Sequence, residues 1–120
     1  MKLTKRIVAA IAMLVVLSSF ISVSAYNDSC VVSHNVGVSY EDFYVYHYFD
    51  NDKGIIWAEY SAYLTDEAAI KVFHTTKKHM GMVTAAGRSD TTREGDPGEW
   101  TNRVDIRIED NAVAQYYAYY

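Results

Sequence analysis

The chain has one cysteine, one proline and six glycines in 120 residues. Cys30 therefore has no partner for an intramolecular disulfide, and the paired-cysteine zinc patterns are excluded. It is either an unpaired thiol near a loosely held terminus or a bridge between two chains, which would make a homodimer. Ahead of it, Tyr26-Asn27-Asp28-Ser29 is polar where a lipoprotein signal needs apolar and small residues. The lone Pro97 lies in a polar stretch, so every prospective strand is free of proline. There is no His-Glu-x-x-His, no calcium-loop pattern and no Gly-x-Ser-x-Gly, and no repeat or low-complexity segment. The 15 acids could supply a two-carboxylate hydrolase, but no spacing singles out a pair. The expectation is a protein that is not an enzyme.

Long apolar runs are equally scarce. The only one, Ile7 to Leu17, follows Lys2, Lys5 and Arg6 and gives way to small residues ending in Val23-Ser24-Ala25. That is the pattern of a cleaved secretory signal, too short to span a bilayer, so residues 1–25 are expected to leave a secreted, extracellular domain of residues 26–120. Those 95 residues suit one thin-cored domain. Three of the 11 basic residues and none of the 15 acids lie in the signal, so the remainder has a formal charge of −7. Such an acidic chain is not drawn to nucleic acid.

What the chain has in abundance is aromatic residues: 11 Tyr, 4 Phe and 2 Trp. Aromatic and β-branched residues favour strands. Arg103 to Glu109 alternates charged and branched aliphatic positions, as a strand with one buried face does. Asp110-Asn111 then reads as a turn, and Ala112 to Tyr120 as the hairpin partner of that strand. Phe43 to Phe49 is strand-like on both faces, Asp50 to Gly54 is a turn, and Ile55 to Leu64 is the antiparallel mate. Thr65-Asp66-Glu67 could cap one helical turn. Gly87 to Gly98 reads as a surface loop. These elements predict an all-β fold, a small antiparallel β-sandwich.

Charge is uneven. Residues 71–93 hold five bases and one acid, the only positive segment. It is either a solvated face or an anion-contact surface. His74 and His79 stand at its start. Five positions apart, they point to opposite faces of a strand and diverge on a helix, so a metal site would need a tight turn between them. No metal site is expected.

The order Val72-Phe73-His74, Lys78-His79, Val83, Gly98-x-Trp100 and Tyr116-Tyr117-x-Tyr119 resembles the lactococcin 972 family of secreted bacteriocins. The likeness covers residues 72–120, with a weaker echo in His34-Asn35-Val36-Gly37-Val38-Ser39. Residues 40–70 look like an inserted strand pair, and Met80-Gly81-Met82 stands where the family has serines. The resemblance implies a two-sheet sandwich with no disulfide and no cofactor. It also implies an antimicrobial action on the cell envelope of related bacteria through lipid II and septum formation, touching the membrane surface at most. In that setting His74 and His79 are framework and contact residues bounding a turn. A pyrophosphate- and sugar-bearing target asks for cations and flat rings. Lys77, Lys78 and Arg88 are the candidate cations, and Trp100, Tyr117 and Tyr119 the candidate rings. On a strand Tyr116 and Tyr120 face away from Tyr117 and Tyr119, so one set belongs to the core. The alternative function is a secreted cell-wall-binding or adhesion module that does not kill.

Overall fold

The computed structural model describes residues 26–36, 42–61, 66–108 and 112–120. The expected signal segment, the Asp110-Asn111 turn and Thr65 lie outside them. The described residues are all-β: β1 (Ser29–Val36), β2 (Phe43–Phe49), β3 (Gly54–Ser61), β4 (Glu67–His74), β5 (Met80–Ala85), β6 (Arg88–Thr91), β7 (Glu99–Trp100), β8 (Val104–Arg107) and β9 (Ala112–Tyr119). Two antiparallel sheets pack face to face. The first runs β1-β9-β5-β6; the second runs β2-β3-β4-β7, with β8 also paired to β4.

Period-two patterning decides which side chains meet between the sheets. From the second sheet, Ile56, Ala58, Tyr60, Ala68, Ile70 and Val72 point inward; from the first, Val36, Val83, Ala85, Ala114, Tyr116 and Ala118 do. Complete burial of each branched or aromatic side chain among these stabilises the fold by about 1.5–3 kcal/mol. Ala114 and Ala118 flank Tyr116 on β9 and leave room for its ring, whose hydroxyl donates to the Glu59 carbonyl across the core at 3.1 Å.

Two buried threonines close the ladder where strands stop. β7 ends at Trp100 and β8 starts at Val104, so the Val72 N–H between them has no strand partner. Thr101 Oγ1 accepts that N–H at 3.0 Å and donates to the Asn102 carbonyl at 2.9 Å. Thr92 does the same just past β6, accepting from Gly81 N–H at 2.9 Å. A buried N–H without an acceptor is costly, and these side chains remove that cost.

Four expectations need correction. The strand at 104–107 pairs with β4, whereas β9 lies in the other sheet between β1 and β5. Sequence adjacency suggested a hairpin, but a strand with one apolar face can serve either layer. Glu67 to Ala69 open β4 and form no helical turn, because β3 offers them a full antiparallel register. Within the 87–98 loop, Arg88 to Thr91 form β6 on β5. Cys30 is no frayed residue: it sits in β1 opposite Ala118, packed against the core, and burial pushes its thiol pKa up.

Candidate functional site

His74 ends β4 and His79 precedes β5, so the two rings bracket the crossover from one sheet to the other. Both are completely buried. The backbone N–H groups of Thr76 and Lys77 donate to His74 Nδ1 at 3.1 and 3.0 Å. Its proton therefore sits on Nε2, which donates to Asp50 Oδ2 at 2.7 Å. That bond, with Lys77 and Lys53 nearby, holds the Asp50 carboxyl below the usual carboxylate range. His79 Nδ1 faces the Lys77 carbonyl at 2.7 Å and Nε2 the Glu99 carbonyl at 2.8 Å. Carbonyl oxygens thus face both nitrogens of the His79 ring. Phe49 and Tyr120 pack on the His74 ring, with centroids at 5.9 and 5.5 Å.

Every nitrogen of the two rings thus has a protein partner. The histidines are a structural joint, and burial closes the contact role that the resemblance allows them. Among the described residues no three His, Cys, Asp or Glu side chains gather as a metal site.

The fold answers much of the positive segment from within. Lys78 Nζ is 2.8 Å from Asp96 and 3.8 Å from Glu94. Asp96 in turn is held below the ordinary carboxylate range by Lys78. Lys77 Nζ lies 3.6 Å from Asp50 and 5.3 Å over the Tyr120 ring. Arg88 donates to the Arg107 carbonyl at 3.0 Å. The candidate rings divide between opposite sides of the molecule. Tyr117 and Tyr119 lie half-buried and parallel on the outer face of the first sheet, centroids 6.0 Å apart, whereas Trp100 stands on the outer face of the second. Tyr116 is core, and burial raises its hydroxyl pKa.

The surface that sequence reasoning missed is the outer face of the second sheet. β2 turns Tyr44, Tyr46 and Tyr48 outward, 61%, 51% and 59% exposed. Register then places Tyr46 opposite Trp57, Trp57 opposite Lys71, Ile55 opposite Phe73, and Phe73 opposite Trp100, which is 38% exposed. The Tyr44 and Trp57 rings are 6.2 Å apart and tilted by 31°. Lys71 Nζ lies 5.1 Å from the Trp57 ring and 5.0 Å from the Trp100 ring. At one margin, Arg103 pairs with Glu59 at 2.9 Å and Asp105 at 2.7 Å. The alternating tyrosines of Phe43-Tyr44-Val45-Tyr46-His47-Tyr48-Phe49 were the available signal. Their union with Trp57, Lys71 and Trp100 depends on register.

A second histidine pair joins the sheets along the β1 and β2 edge: His34 Nε2 and His47 Nε2 are 2.9 Å apart, one donating and the other accepting. Burial first, and His47 second, push the His34 pKa below the ordinary histidine value.

The geometry defines a two-sheet sandwich with a sealed histidine joint and one broad aromatic outer face. No family model, no curated protein and no solved structure matches the chain.

Proposed function

We propose that the chain is a secreted, bacteriocin-like protein of the lactococcin 972 type, acting by binding and without chemical turnover on the cell envelope of related bacteria, with lipid II as one target. The observation that supports this best is the outward aromatic face of the second sheet. Exposed contiguous aromatic surface on a small domain is unusual unless something binds it. Tyr and Trp rings suit sugar-rich envelope polymers, because their faces meet C–H groups while hydroxyl and indole N–H groups stay available for hydrogen bonds. The order of His74, Lys78, His79, Gly98 and Trp100 favours the bacteriocin reading over other binding modules.

The same face also supports the second reading, a cell-wall-binding module that does not kill. Protein collected from culture medium, spotted on lawns of related bacteria, separates the two. Clearing zones with septation defects are expected. Tight binding to purified cell walls with fully viable target cells would replace the first reading by the second, and binding to neither would remove both.

A further inference from the structure

We infer that the outer face of β2, β3, β4 and β7 binds a glycan chain bearing a singly charged acidic group, with sugar rings over Tyr46, Trp57 and Trp100 and the acid on Lys71. This deepens the binding reading above and rests on it.

The composition of the face is the first reason. Outward positions of a two-layer sandwich are ordinarily polar. Here they carry three tyrosines, Ile55, Trp57, Phe73 and Trp100. A purely apolar partner would be matched by aliphatic residues, whereas tyrosine presents a ring and a hydroxyl together, as a sugar presents C–H faces and hydroxyls. The spacing fits as well. Neighbouring strands lie about 4.8 Å apart, so the paired Tyr46 and Trp57 stand about one sugar ring apart, while Trp100, two strands on from Trp57 and on the other side of Lys71, would meet a sugar further along the chain.

Charge decides the class of glycan. Lys71 is held between two indole faces, and among the described residues no carboxylate lies within ion-pair distance of it. By contrast Lys77, Lys78 and Arg103 each have a carboxylate partner. A cation steadied by aromatic faces keeps its donors available to an incoming anion while the rings fix its position. Glu59 and Asp105, acids of the same sheet, are already engaged by Arg103. The unanswered charge between the rings is that of Lys71, and the complementary ligand carries a carboxylate or a phosphodiester.

Both tryptophans of the chain stand on this face, so intrinsic fluorescence reports binding there directly. The secreted protein is titrated with an N-acetylglucosamine tetramer, with the same backbone carrying lactyl carboxylates on alternate sugars, and with a glycerol-phosphate-substituted form. At least one acidic form is expected to bind about ten-fold more tightly than the neutral tetramer at low salt, and which one does so identifies the acid. Lys71→Gln should erase that preference, bringing acidic and neutral forms to equal affinity, while Tyr46→Ala and Trp100→Ala should weaken every form. Thermal melts confirm that each variant is folded.

Retention of the acid preference by Lys71→Gln would overturn the inference, as would fluorescence unmoved by any oligosaccharide. Concentration-dependent dimerisation that shields the tryptophans would assign the face to a second copy instead, and preferential binding to anionic vesicles would assign it to lipid. If Tyr46→Ala still clears lawns and binds cell walls undiminished, the inference falls and the proposed function stands. Oligosaccharide binding without any antagonism or wall binding leaves the inference and removes the proposed function.

Discussion

The two histidine pairs stand in different settings. His74 and His79 are fully buried at the β4–β5 crossover, with every ring nitrogen bonded to backbone, carboxylate or carbonyl. His34 and His47 are half-buried on the β1–β2 edge and lean on each other. The first pair is fixed by the chain around it and gives the sandwich a rigid end. The second is a contact between two titratable groups, and its strength depends on the solution. The chemistry of a histidine is set by what the fold brings to its nitrogens.

The strongest way to break this contrast is to disturb the sealed end. A Cβ on Gly95 would lie 2.7 Å from His79 Nε2, and one on Gly54 would land in the Phe49 ring. Gly54→Ala and Gly95→Ala are each expected to cost about 3 kcal/mol, the first through overpacking and the second through overpacking with a displaced hydrogen bond; urea denaturation measures both. Next, His74→Phe keeps a ring in place but strips Asp50 of its donor and two backbone N–H groups of their acceptor. A loss of about 2 kcal/mol is expected in the same assay. Thr101→Val, of nearly equal volume, orphans the Val72 N–H and should cost about 1–2 kcal/mol.

Titration sharpens the other half of the comparison. His34 has a folded-state pKa below the ordinary histidine value of 6.5, so the unfolded chain takes up its proton first as the pH falls. Its contribution is present in full above that value and fades below it. Asp50, also depressed, adds to the loss at more acidic pH. Melting temperature should fall between about pH 7.5 and about pH 5, and His34→Phe should flatten that fall. The smallest effect is expected on the surface. Lys77→Ala with Lys78→Ala should leave both the melting temperature and glycan binding nearly unchanged, in contrast to Lys71→Gln, because those two ammonium groups are already answered by Asp50, Glu94 and Asp96.

Alternation made much of the sandwich readable. Phe43 to Phe49, the turn at Asp50 and the inward Ile106 and Ile108 follow directly from period two and turn chemistry. Layer assignment was not readable. Val104 to Arg107 and Ala112 to Tyr119 follow one another in the chain yet enter different sheets, and nothing local distinguishes a hairpin from a crossover. The same limit hid the site. Residues 71–93 are basic in isolation, but Asp50 and residues 94–96 arrive from other elements to neutralise Lys77 and Lys78. Lys71, unremarkable in the sequence, ends up between two tryptophans drawn from β3 and β7. Among the candidate rings only Trp100 joins that face; Tyr117 and Tyr119 decorate the opposite one.

The place of β9 between β1 and β5 governs how the chain must assemble. Until Ala112 to Tyr119 have been synthesised, the first sheet lacks the strand that joins its two halves, and the buried ring of Tyr116 is missing from the core. The second sheet can grow from the neighbouring strands β2, β3 and β4, but the first closes late, through contacts between distant segments, a slow route to the native state.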